Sequence, residues 1–202
     1  TNQAAGDLVY SSVLPDQSYL TGVNSAYNFI DLDGGDQYID CGADVHDFSS
    51  GDFTILGWVY HDQANSSHAG IVGVRDSTNT EVQFYISSID NTLGSWSGSS
   101  NVYSTTAIAD EEWTHVGLVQ SGSNKKFYIN GVLDNTASQA NGTARPATFK
   151  IGWTGCGAEY FEGSISQLAV YNKELSASEV SAIYSLGRHG NLLDKYSDNL
   201  KG

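Results

Sequence analysis

The chain has 202 residues, with 22 glycines, 2 prolines and 12 tyrosines, and a net charge of -14 from 9 basic and 23 acidic residues. This length suits one domain and buries roughly 70% of the unfolded surface without a staple. So acidic a chain repels phosphate backbones and anionic lipid, which excludes nucleic acid as a partner, and no apolar run approaches the ~20 residues that cross a bilayer.

Residues 1–26 are polar, with a short strand candidate at Leu8-Val-Tyr10 and a turn at Pro15-Asp16. Ala26 to Asp31 and Gln37 to Cys41 read as two strands around the loop Leu32–Asp36. Phe53 to Tyr60, Gly70 to Val74 and Glu81 to Ile86 follow as strands. Thr92 to Trp96 and Val102 to Ala107 flank a Ser/Gly turn. The next stretch carries the strongest signal. Trp113 to Gln120 is aromatic, β-branched and apolar on both faces, so it is expected to be covered on both. A polar turn at Ser121–Asn124 leads to Lys125–Ile129, and Asn130-Gly131 permits the two positive φ angles of a type I′ hairpin before Val132-Leu133. Ala137 to Ala144 reads as a polar loop, and Thr148 to Trp153 and Ser164 to Tyr171 as the last strands. Turn signals every 8 to 12 residues with no helices between them predict an antiparallel sandwich. One helix is expected, opened by the capping box Ser176-Ala-Ser-Glu179, with Val180, Ile183 and Tyr184 at helical spacing and Gly187 as the stop.

Several of these pieces stand in a familiar order. They are Phe29-Ile-Asp31-Leu-Asp33-Gly34-Gly-Asp36-Gln-Tyr38, Gly51-Asp52-Phe53-Thr54-Ile55, Trp113-Thr-His115-Val116 with Phe127-Tyr-Ile-Asn130-Gly131, Phe149-Lys-Ile151-Gly152, Phe161-Glu-Gly163-Ser-Ile165, and Tyr171-Asn172-Lys-Glu-Leu175-Ser176. Together they resemble the laminin G-like (LamG) domains of the concanavalin A-like lectin/glucanase superfamily. The resemblance implies an all-β jelly roll of two antiparallel sheets with one short C-terminal helix. It divides the chain into a domain over 1–187 and a connector over 188–202 like those of large cell-surface or viral and phage structural proteins. Thr1, in place of methionine, is expected to mark a processed or excised piece. The implied setting is extracellular, cell-surface or virion-associated, within a multidomain or multimeric assembly.

Fold alone does not choose a function. Glucanases of this fold place carboxylates at alternating positions of one strand, aimed at one face. That Glu-x-Asp-x-(x)-Glu pattern is absent; Glu111-Glu112 and Glu159-x-x-Glu162 read as loop or solvated carboxylates, and no enzyme is expected. The binding candidates are aromatics beside Gly/Ser turns or on strands: Tyr85, Trp96, Tyr103, Trp153 and Tyr160. Such rings can cover the apolar face of a sugar while polar neighbours bond its hydroxyls. Trp58 and Trp113 read as core packing, and His115 as a residue packed within the sandwich with its ring satisfied. Calcium is the one cofactor considered. It takes six to eight oxygens, and the glycines beside Asp33 and Asp36 let backbone carbonyls turn inward; the competing reading is an Asx turn. Asp76, Asn79 and Glu81 are the second choice, while Ser166 stands where many family members have an acidic residue. Cys41 and Cys156 leave pairing open. The sequons Asn65-Ser-Ser67 and Asn141-Gly-Thr143 read as chance. The expected function is a non-catalytic carbohydrate-binding or adhesion module contacting a glycan or other surface macromolecule. The alternative is a structural or assembly module without a glycan site, and a glycoside hydrolase ranks below both.

Overall fold

In the computed structural model, residues 29–43, 45–62, 67–76, 80–143 and 147–190 are described. Among them two six-stranded antiparallel sheets form. The first runs β1 (Ile30–Asp33), β12 (Glu162–Tyr171), β3 (Phe53–His61), β8 (Trp113–Ser121), β9 (Asn124–Ile129), β10 (Val132–Ser138). The second runs β2 (Ile39–Asp40), β11 (Phe149–Ile151), β4 (Ala69–Arg75), β5 (Thr80–Ile86), β6 (Thr92–Trp96), β7 (Asn101–Ala107). The strand candidate at Leu8-Val-Tyr10 and residues 191–202 of the expected connector lie outside the described residues.

The strands around Leu32–Asp36 do not pair with each other. Asp33 Oδ1 accepts the Gly35 N–H at 2.9 Å, and Gly34 takes a φ of 70°. This Asx turn carries the chain from β1 in one sheet to β2 in the other. The meander follows the sequence expectation more closely. Asn130 and Gly131 both have positive φ, and Asn130 Oδ1 accepts the His115 N–H at 3.0 Å. β10 is longer than expected. Ala137 and Ser138 pair with Lys125 and Asn124 past a bulge between Leu133 and Asn135, so the predicted loop begins later. Asp134 accepts from Thr105 Oγ1 and from the backbone of Thr105 and Thr106, which ties β10 to β7 across the open side of the sandwich.

Between the sheets lies a core that includes Phe53, Val59, Phe84, Val116, Phe127 and Phe161. A second core lies on the outer face of the first sheet. There α1 (Ala177–Ser185) covers Leu56, Val119, Tyr128 and Tyr171 with Val180 and Ile183. Both halves of the capping box are made, with Glu179 N–H on Ser176 Oγ and Ser176 N–H on Glu179 Oε2. The helix ends where Gly187 takes a φ of 71°. β8 is therefore covered on both faces, as its two-sided apolar pattern requires.

Period-2 geometry corrects the reading of two tryptophans and a histidine. Val59 and Val116 point between the sheets, so Trp58, His115 and Trp113 point outward. Trp58 is half-buried, stacked on Tyr184 at 5.5 Å and edge-on to His115 at 5.3 Å. Trp113 is also half-buried, under the Arg188 guanidinium at 4.3 Å. His115 is fully enclosed in this outer layer, yet its Nδ1 has no hydrogen-bond partner among the described residues, and burial pushes the ring down to about 4. Cys41 and Cys156 are not joined in a disulfide, and both are half-buried.

Candidate functional site

The outer face of the second sheet is built by the same alternation. Val72, Val74, Val82, Phe84, Ile86 and Leu93 enter the core. Gly73, Gln83, Tyr85, Gly94 and Trp96 are thereby turned outward. Tyr85 lies opposite Gly70 on one side and Gly94 on the other, and Gly94 lies opposite Tyr103. A Cβ on Gly94 would sit 2.3 Å from the Tyr85 ring. The missing side chain is thus what allows that ring to lie across β6. It meets Tyr103 edge-on at 6.4 Å, and its hydroxyl donates to Asn101 Oδ1 at 2.8 Å. His68 stacks on Tyr85 at 4.7 Å and 24°. The Ser88 N–H donates to His68 Nδ1 at 3.1 Å, which leaves the proton of the neutral ring on Nε2. Burial first, then the Tyr103 hydroxyl and the Glu159 carboxylate, pushes the Tyr85 phenol up and keeps it un-ionised.

A hairpin over residues 153–160 crosses this face above β4. Gly70 and Gly73 make room for it: a Cβ on either would fall within 2.4 Å of Thr154 backbone atoms. Gln83 Nε2 donates to the Thr154 carbonyl at 2.9 Å and holds the hairpin down. Trp153 and Tyr160 form a backbone bridge and stack at 5.3 Å and 12°. Tyr38 packs on Trp153 at 5.0 Å and on Tyr160 at 6.4 Å, and is itself 40% exposed. Thr154 Oγ1 donates to Glu159 Oε2.

The five predicted aromatics therefore fall into two groups. Tyr85, Trp96 and Tyr103 share the face of β5–β7, with Tyr85 only 2% exposed as the floor and the other two half-buried above it. Trp153 and Tyr160 sit on the hairpin with Tyr38. Tyr38, His68, Gln83 and Asn101 were not among the candidates read from the sequence, and Glu159 was read there as a loop or solvated carboxylate. One signal was present: glycines inside strand patterns, at 70, 73 and 94, mark close approach of another group.

The predicted metal residues do not gather further ligands of their own kind. Asp33 already holds Gly35, Asp36 is exposed, and no group of three or more His, Cys, Asp or Glu side chains forms among the described residues. A calcium ion there would draw its remaining oxygens from backbone carbonyls and water. Of the second choice, Glu81 is buried with Oε2 on the Phe48 N–H at 3.1 Å, Asp76 acts electrostatically on Lys150, and Asn79 lies outside the described residues. Ser166 is buried in β12.

Residues 33–181 match the family model described as the concanavalin A-like lectin/glucanases superfamily. The chain belongs to the concanavalin A-like lectin/glucanase superfamily. No curated protein matches it in sequence. Among solved structures it is similar to domain 4 of AbnA, a GH43 extracellular arabinanase from Geobacillus stearothermophilus, in complex with arabinotriose. The identity is 22% over 76% of this chain and 74% of that one, with a TM-score of 0.60. It is also similar to a native heptameric SAP-like pentraxin from Limulus polyphemus (21% identity, 67% and 70% of the two chains, TM-score 0.53). A third relative is Trypanosoma rangeli sialidase (16% identity, TM-score 0.51), where the match takes in 66% of this chain but only 22% of that one. At these identities the likeness is one of fold, a fold that this superfamily member shares with enzyme chains and with pentraxins.

Proposed function

We propose that this jelly roll is a non-catalytic carbohydrate-binding module whose site is the outer face of β5–β7 together with the 153–160 hairpin. The observation that carries the reading is the aromatic floor. Gly94 lets Tyr85 lie flat, and Trp96 and Tyr103 stand beside it. Around them are the Nε2–H of His68 and the side chains of Asn101 and Glu159, the donors and acceptors that sugar hydroxyls require. The similarity to an arabinanase domain in complex with arabinotriose supports the same reading.

The strands of the second sheet carry only two carboxylates, Asp40 and Glu81. Asp40 bonds Gly42 and Thr148, and Glu81 bonds Phe48. Neither forms the facing carboxylate pair that glycoside hydrolysis uses. Binding at such an open face is weak per site, so the module gains from several copies on one extracellular surface or particle. Calcium at Asp33 and Asp36 is a separate proposal, resting on the turn's carboxylates and glycines. A glycan array probed with the chain, with and without calcium, tests both parts. Binding lost in Trp96→Ala and Tyr103→Ala, at unchanged melting temperature, is the expected result. Sugar release from any bound polysaccharide would refute the non-catalytic part.

A further inference from the structure

The two aromatic groups and the distribution of charge bear on what kind of glycan fits, an inference that rests on the carbohydrate reading above. From β7, which carries Tyr103, to β2, which Tyr38 precedes, the second sheet is six strands wide. Five inter-strand spacings of ~4.8 Å make about 24 Å, much longer than one sugar ring. Between the groups lie Thr154 and Glu159 of the hairpin, packed over Gly70 and Gly73 of β4 and pinned by Gln83, with Glu159 close enough to Tyr85 to perturb it.

Few cations among the described residues are free to meet an acidic sugar. Lys125 is buried, Lys150 is buried with its Nζ on the Arg75 and Thr148 carbonyls and 5.8 Å from the centre of the Trp153 ring, Lys126 and Lys173 are paired with Glu174 and Glu179, and Arg188 lies over Trp113. Arg75, half-buried at the end of β4, is what remains. Against a net charge of -14, a uronate, sulfate or sialate chain would meet repulsion with little to offset it.

We propose that the ligand is an uncharged oligosaccharide lying across the strands, stacked on Trp96 and Tyr103 at one end and on the Tyr38–Trp153–Tyr160 group at the other. Each group is a separate stacking platform, because Thr154 and Glu159 of the hairpin, lying over β4, interrupt the aromatic surface between them. Affinity therefore grows with chain length until both platforms are covered, and salt leaves it unchanged.

The test is calorimetric titration of the 202-residue chain with neutral gluco-, xylo- and arabino-oligosaccharides from monosaccharide to hexasaccharide, and with oligogalacturonates of the same lengths, at low and high salt. The expected result is a neutral series whose Kd falls at least about tenfold with length and does not move with salt. Trp96→Ala and Trp153→Ala each weaken the hexasaccharide about tenfold. Trp153→Tyr, which keeps a ring and guards against a folding defect, retains most of the binding. Preference for the galacturonates with salt-sensitive affinity overturns the charge argument. Affinity independent of length, or loss in only one of the two alanine variants, overturns the two-platform argument while leaving carbohydrate binding intact. No binding in any series refutes the carbohydrate reading itself and this inference with it.

Discussion

Lys125 offers the sharpest test of how this sandwich is built. It sits on β9 at the same parity as Phe127, so it points between the sheets and is fully buried. Its Nζ donates to Gln120 Oε1 and lies 4.6 Å from the centre of the Phe53 ring. No carboxylate among the described residues compensates the charge, and burial pushes the ammonium from 10.5 down to about 7. Between those two values the folded state holds Lys125 neutral while the unfolded chain keeps it protonated. The unfolded state then binds more protons, so stability rises with pH across this window. At about 1.4 kcal/mol per pH unit the whole displacement amounts to ~5 kcal/mol, an upper figure that is missing below pH 7. Lys125→Met should recover part of it near neutral pH. Leaving Gln120 Oε1 without its donor costs about 1–3 kcal/mol, so the net gain is ~2–4 kcal/mol. The assay is urea unfolding at intervals from pH 6 to about 9, below the range where the raised Tyr85 and Tyr128 phenols lower stability by resisting ionisation. Lys150, also lowered by burial, adds a slope of the same sign, so the variant should lose most of the pH dependence. A wild-type profile that is flat from neutral to about pH 9, or an equal slope in Lys125→Met, would refute the reasoning.

Four further outcomes are expected. His115, held down to about 4 by burial, makes stability fall as pH drops from 6.5 toward 4; His61 acts in the same direction, so His115→Phe should flatten much of the loss in melts at mildly acidic pH. Trp58→Ala should cost ~2–3 kcal/mol in denaturant unfolding, less than a fully enclosed tryptophan, because the ring is half-buried on Tyr184; a cost near zero would place it outside the second core. Gly94→Ala drives a methyl into the Tyr85 ring and should destabilise by ~1–3 kcal/mol, a penalty relieved when Tyr85→Ala is added; equal penalties with and without Tyr85 would break the link between them. For the calcium proposal, saturation a hundredfold over Kd should raise stability by about 2.7 kcal/mol, a shift abolished by Asp33→Ala with Asp36→Ala; identical melts in chelator and calcium would remove the site.

Local chemistry in the sequence was enough for the elements. β-Branched and aromatic runs between glycine-rich turns gave nearly every described strand, Asn130-Gly131 gave its hairpin, and Ser176 with Glu179 gave the helix start, because each depends on neighbours a few residues away. The two-sided apolar pattern of β8 even required a cover on each face. Which cover lay on which side was not local. Trp58, Trp113 and His115 looked like sandwich core because large apolar residues do; which face of β3 and β8 meets the other sheet, and which meets α1, shows that they form an outer layer. The site depended still more on the tertiary structure. Tyr85, Gly94 and Tyr103 are nine residues apart in each step and become neighbours only through the register of β5, β6 and β7. The hairpin at 153–160 reaches them only because Gly70 and Gly73 leave backbone space on β4. Residue types announced aromatic stacking, but side-chain direction, strand register and close approach are properties of paired strands, and a single sequence states them only after it has folded.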